Sequence, residues 1–125
     1  MRFLQLMPDH AIDAYVAQID FSTAMCFGIF DADSRLVAFA EAIPYRSGVR
    51  LMAEAAFSTD EQWRKHGLAR ILCRSLGEHA TGAGIDRLVL HCHRRNTPMR
   101  ALLRAIEAVT NFDEGDLEAE WDPTR

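Results

Sequence analysis

Gln62-Trp63-Arg64-Lys65-His66-Gly67-Leu68-Ala69-Arg70 is the stretch that decides how this chain is read. Before it, Val49, Leu51, Ala53, Ala55 and Phe57 alternate with Arg50, Met52, Glu54 and Ala56, the period-two signature of a strand from about Val49 to Ser58. After it, Leu68, Ile71, Leu72, Leu76 and Ala80 fall on one helical face, and Gly82 and Gly84 end the pattern. The nine residues therefore join the end of a strand to the start of a helix. Such a junction presents unpaired N–H groups and the positive end of the helix dipole, which together attract phosphate. Gly67 lets the backbone approach an anion closely, and Ala69 is too small to block it. Arg64, Lys65 and Arg70 add positive charge. The plainer alternative is a solvated helix start with a basic surface. The loop is neither a Walker loop nor a GxGxxG fingerprint.

Upstream, Pro8 and Asp9 precede Ile12, Tyr15, Val16 and Ile19, a spacing that predicts a helix face. Two extended runs, Met25 to Phe30 and Leu36 to Ile43, flank the turn-rich Asp31-Ala32-Asp33-Ser34-Arg35 and predict an antiparallel hairpin. Pro44 is expected to end the second run, and Ser47-Gly48 marks a turn. Downstream, Arg87 to Cys92 reads as a buried strand. Asn96-Thr97-Pro98 opens a second helix with Met99, Leu102, Leu103 and Ile106 as its core stripe. Val109 to Trp121 reads as two short strands around Glu114-Gly115-Asp116. The strand–helix–strand unit around Gly67 implies a parallel pair inside a mixed sheet. The expected fold is one α/β domain spanning residues 1–125, with helices on both faces.

The chain has 125 residues, 14 Lys+Arg against 18 Asp+Glu, and a net charge of −4. At 49% hydrophobic and 26% charged it has the make-up of a soluble globular domain, not of a disordered, collagen-like or coiled-coil chain. No apolar run reaches the ~20 residues of a membrane helix, so no membrane is expected. An acidic balance argues against nucleic acid. Cys26, Cys73 and Cys92 are odd in number and widely spaced, with no CxxC pair. With an N-terminus too soon acidic for a secretory signal, they point to the cytoplasm.

Arg64-Lys65-His66-Gly67-Leu68-Ala69 resembles R/Q-x-x-G-x-G/A, the acyl-CoA pyrophosphate loop of the GCN5-related N-acetyltransferases (GNAT), and Asn96 matches that family's Asn after the next strand. The resemblance covers roughly residues 10 to 121 and is closest to bacterial protein-lysine acetyltransferases, through Ala53-Glu54-Ala55-Ala56, Trp63 with Gly67-Leu68-Ala69, Asn96 with Met99 and Leu102, and Ile19-Asp20-Phe21. It implies acetyl-CoA as co-substrate and a primary amine, protein lysine or small molecule, as acceptor. Arg64, Lys65, His66, Gly67, Leu68, Ala69 and Arg70 would hold the pyrophosphate and Asn96 the pantetheine side. A backbone N–H near Ala56 or Phe57 would polarise the thioester carbonyl. Glu54 would be the base. Its strand position between Met52 and Ala56 suggests a desolvated carboxylate, against the alternative of a strand Glu paired with Arg50.

Two positions depart from the family pattern. Lys65 stands where Gly is usual, and Leu103 where many members carry a Tyr that protonates the departing thiolate. The family's first strand and first helix read as missing. That would leave the Met25–Phe30 strand near an edge and invite a homodimer. A non-catalytic acyl-CoA-binding module and a scaffold or toxin–antitoxin partner using the same fold are the rival readings. His91 and His93 share a strand face without a third ligand, so no metal is expected. Cys73 and Cys92 have no activating partner in the sequence. Trp63 is expected to pack beneath the loop, and one of Arg94 and Arg95 could meet a nucleotide phosphate.

Overall fold

The structure, a computed structural model, describes residues 4–6, 14–21, 24–64 and 67–124. In chain order it holds β1 (Leu4–Leu6), β2 (Ala14–Phe21), β3 (Ala24–Asp31), β4 (Leu36–Ser47), β5 (Arg50–Thr59), a 3₁₀ turn (Glu61–Trp63), α1 (Leu68–Gly82), β6 (Arg87–His93), α2 (Thr97–Ala105), β7 (Val109–Asp113) and β8 (Asp116–Trp121). The strands form one sheet in the order β1-β2-β3-β4-β5-β6-β8-β7. Every neighbouring pair is antiparallel except β5 with β6. This is the mixed α/β sheet the sequence predicts, with α1 as the crossover between its parallel strands.

One face of the sheet is apolar. Met25, Phe27 and Ile29 on β3 stand opposite Ala42, Ala40 and Ala38 on β4. Ala53 and Ala55 on β5 stand opposite Leu88 and Leu90 on β6, which in turn face Trp121 and Ala119 on β8. All are buried, and Leu68, Leu72, Leu76 and Ala80 of α1 with Leu102 and Leu103 of α2 close the core over them. The three alanines of β4 keep that strand low, so α1 sits close over the sheet centre.

Four expectations are corrected. Tyr15, Val16 and Ile19 belong to strand β2, paired with β3 from Ala14↔Asp31 to Phe21↔Ala24, not to a helix; Ile12 lies outside the described residues. Ala-Tyr-Val-Ala-Gln-Ile-Asp-Phe satisfies a period of two as well as one of 3.6, and pairing with β3 selects the strand. With that helix gone, α1 and α2 line a common groove on one face instead of covering both. A first strand is present, and β3 lies between β2 and β4, so the edge expected at Met25–Phe30 does not exist. Finally, Pro44 sits inside β4, opposite Ala53. The β3 ladder stops at Met25↔Ala42, so Pro44 needs no N–H on that side. The strand expected from about Val49 to Ser58 is β5, Arg50–Thr59, and Val49 itself is 96% exposed in the turn before it.

Candidate active site

The parallel ladder of β5 and β6 is short. It runs from Met52↔Arg87 to Ala55↔Leu90 and stops. Beyond Ala55, β5 continues to Thr59 paired only with β4, and beyond Leu90, β6 continues to His93 paired only with β8. The two strands therefore part into a wedge at their C-terminal ends. Open α/β sheets take ligands in this position, because strand-edge N–H and C=O groups there have no strand to satisfy them. Ala56 and Phe57 occupy the first two unpaired positions on β5, Ala56 exposed and Phe57 half-buried.

The same end of β5 leads to the start of α1. Asp60 donates its N–H to the carbonyl of Val37 at 2.9 Å, anchoring the strand end, and the 3₁₀ turn through Trp63 follows. Trp63 packs against the core. Gly67 is the N-cap of α1, at φ 73°, ψ 17°. This left-handed backbone suits glycine, and a Cβ there would meet nothing within 4 Å. The requirement at Gly67 is thus conformational, not steric. Gly67 has no side chain to cap the helix start, and no other described side chain does so. The carbonyl of Gly67 accepts from Ile71 N at 3.3 Å, while the N–H groups of Leu68, Ala69 and Arg70 precede the first helical bond and lack intrahelical partners. Leu68 is buried and pins this turn, Ala69 is half-buried, and Arg64 and Arg70 are exposed, with no ion pair among the described residues. Lys65 and His66 lie outside the described residues.

Asn96 follows β6 across the wedge and caps α2. Its Oδ1 accepts from Met99 N at 3.1 Å, its own N–H donates to the His93 carbonyl at 2.9 Å, and Pro98 lies in the first turn. The cap holds the side chain at the wedge rim and leaves the two Nδ2 protons without a partner among the described residues.

Glu54 lies on the sheet face opposite the core, between Ile43 on β4 and Val89 on β6. It is exposed, not enclosed by Met52 and Ala56 as the sequence suggested, because the described helices lie on the other face. Ile43 is 51% exposed beside it and Val89 is buried, so the carboxylate stands on a partly apolar surface. No ion pair with Arg50 forms: four residues along a strand separate the two groups by about 13 Å. Leu103, at the position of the family's Tyr, is 2% exposed in the core and offers no proton.

Arg74 was missed. It lies one turn beyond Arg70, and the two line a groove of about 380 Å³ between α1 and α2, floored by Trp121 and closed by Ile106 and Glu107. The i, i+4 spacing of Arg70 and Arg74 was the available signal. Burial raises the thiol pKa of Cys73, beneath this groove, from its usual 9.0 to about 12, so it is held protonated and unreactive.

The family profile described as "Acetyltransferase (GNAT) family" matches residues 3–106, and the chain belongs to that family. No curated protein sequence matches the chain. Solved structures share the fold at low identity. A cAMP-binding acyltransferase from Mycobacterium smegmatis superposes with a TM-score of 0.70 at 22% identity, over 83% of this chain and 32% of its own. The GNAT domain of S. lividans PAT gives 0.72 at 18% identity, over 83% and 63%. Arabidopsis thaliana NAA60, solved with a bisubstrate analogue, gives 0.68 at 16% identity, over 83% and 78%. The chain thus spans less than two thirds of the two bacterial proteins.

Proposed function

We propose that this domain, residues 1–125, transfers an acetyl group from acetyl-CoA to a primary amine. One observation carries the reading. The wedge after Ala55↔Leu90 and the uncapped start of α1 at Gly67 open at the same end of β5. An acyl chain laid along Ala56 and Phe57 would therefore run toward N–H groups suited to its pyrophosphate. Leu68, Ala69 and Arg70 supply those donors, with Arg64, Lys65 and His66 from the loop before them, and Asn96 Nδ2 faces the pantetheine amides. Arg74 adds a second cation one turn along α1, in a groove that Glu78 and Glu107 also line.

In this mechanism Glu54, through a water across its open face, takes a proton from the substrate ammonium. The amine nitrogen then attacks the thioester carbon, and a β5 N–H at Ala56 or Phe57 holds the developing oxyanion. The C–N bond forms, the C–S bond breaks with its electron pair going to sulfur, and the nitrogen gives its second proton to solvent. With Leu103 in the proton donor's place, CoA leaves as thiolate, tolerable for a thiol of pKa ~8.5. Free Cys26, Cys73 and Cys92 suit a reducing cytoplasm. The test is transfer of labelled acetyl from acetyl-CoA to a panel of lysine peptides and small amines. Transfer to at least one amine supports the reading. Tight acetyl-CoA binding without transfer to any amine assigns the fold to a binding module, a reading favoured by Lys65 and Leu103.

A further inference from the structure

The C-terminal hairpin leaves one edge of the sheet open. β7 is the outermost strand, and every residue from Val109 to Asp113 is exposed, including Val109 at 65% and Phe112 at 53%. It carries neither the Pro nor the Lys with which sheet edges are usually guarded. Its hydrogen-bonding phase can be read from the turn. Glu114 (φ 50°) and Gly115 (φ 104°) form a two-residue connection with both residues left-handed, which makes the flanking Asp113–Asp116 pair a hydrogen-bonded one. Alternation along the ladder then binds Asn111 and Val109 to β8 and turns the N–H and C=O of Thr110 and Phe112 outward.

We propose that β7 pairs antiparallel with β7 of a second copy of this chain, about a two-fold axis at Asn111. This register sets Thr110 opposite the partner's Phe112 and Phe112 opposite the partner's Thr110, so all four outward-facing residues meet in hydrogen-bonded pairs. It sets Asn111 opposite the partner's Asn111 in the closer, non-hydrogen-bonded geometry. Charge favours the same arrangement. The Arg94 and Arg100 guanidinium carbons stand 5.2 and 5.7 Å from the Phe112 ring centroid, and neither arginine is in an ion pair among the described residues. Asp116 of the same chain acts with Arg100 on Cys92, so one anion is already near this pair, and the two cations leave room for a second. α2 carries Arg100 near Phe112 at one end and passes through Ile106, Glu107 and Ala108 into Val109 at the other. The two-fold operation brings the partner's Val109 opposite Asp113. It therefore carries the partner's Glu107, and the negative end of that α2, toward Arg94 and Arg100. The interface is isologous, so this match occurs twice.

The test is sedimentation of the whole chain from about 1 to about 100 µM, with charge variants. The expected result is a species of about 28 kDa, twice the 14.1 kDa chain. Glu107→Arg and Arg100→Glu, each folded by circular dichroism, weaken association tenfold or more, and the double variant Arg100→Glu with Glu107→Arg restores it. Asn111→Cys gives a disulfide-linked dimer under mild oxidation, since directly opposed residues fall within disulfide reach. Thr110→Cys, displaced from its own copy by two rows, does not. A chain monomeric throughout the range overturns the proposal. So does a dimer that ignores both charge reversals and does not cross-link at Asn111, since its interface then lies elsewhere.

Discussion

A Cβ placed on Gly77 would stand 2.7 Å from Cη2 of Trp121 and 3.1 Å from Cζ2, so α1 and β8 touch at a helical position that has no room for a side chain. Gly77 is buried and Trp121 is 5% exposed, which leaves the indole little freedom to retreat. Gly77→Ala gains helix propensity, worth about 1 kcal/mol, but overpacks a site where such crowding costs about 1–3 kcal/mol. The expected outcome in urea unfolding is a net loss of up to about 2 kcal/mol. Gly82→Ala is the matched control. Its Cβ meets nothing within 4 Å, so the same substitution there leaves stability unchanged or raises it by up to about 1 kcal/mol.

Cys73 gives the fold a pH dependence of known sign. Burial lifts its thiol to about 12 from the usual 9.0, so the folded chain keeps a proton that the unfolded chain gives up. Its contribution is fully present below pH 9 and is lost as pH rises toward 12, because in that window the unfolded state binds fewer protons than the folded one. The urea midpoint is expected to fall between pH 9 and 11 in the wild type, and less steeply in Cys73→Val. Equal slopes in the two proteins would remove Cys73 as the cause. Thiol titration at pH 8 should label Cys92, which is half-buried, well before Cys73, which is 1% exposed.

Gly67 separates phosphate binding from folding. At φ 73° an Asn is tolerated and Ala is strained by about 1–2 kcal/mol. Gly67→Asn is expected to fold with near-native stability. Gly67→Glu adds bulk and negative charge at the uncapped start of α1 and should weaken acetyl-CoA binding at least tenfold by calorimetry. Unchanged affinity in a folded Gly67→Glu protein would move the pyrophosphate away from this loop.

From Met25 onward the elements were legible in the sequence, because there the periodicities are unambiguous. Leu68, Leu72, Leu76 and Ala80 keep strict helical spacing, and Asn96-Thr97-Pro98 carries both a cap and a first-turn proline. The segment around Tyr15 to Ile19 was not legible, since its residues fit either period and only the partner strand β3 decides. Among the site residues, Gly67 was visible as glycine at a strand–helix junction. The end of the β5–β6 ladder at Ala55↔Leu90 was not, because no residue marks where two strands diverge. The exposure of Glu54 was missed for a related reason. Its strand neighbours Met52 and Ala56 are apolar, but burial depends on what covers the face, and that is decided by the distant choice between helix and strand at Tyr15.

Glu54 tests the chemistry itself. As the proposed base, Glu54 is exposed between Ile43 and Val89 on the face of the sheet opposite α1, so it would meet an amine away from the α1 start that would hold the pyrophosphate. Glu54→Gln keeps the shape and removes the basicity. Acetyl-CoA affinity should be unchanged, since the carboxylate takes no part in holding the nucleotide. Turnover at pH 7 should fall by about 10²–10⁴-fold, the usual worth of general-base assistance. Raising the pH should then restore part of the loss, because amine acceptors begin to deprotonate without help as their own pKa is approached. That partial rescue distinguishes a lost base from a distorted wedge, which would stay impaired at every pH. Wild-type turnover in Glu54→Gln across the pH range would make Glu54 a plain strand residue and leave deprotonation of the amine to solvent.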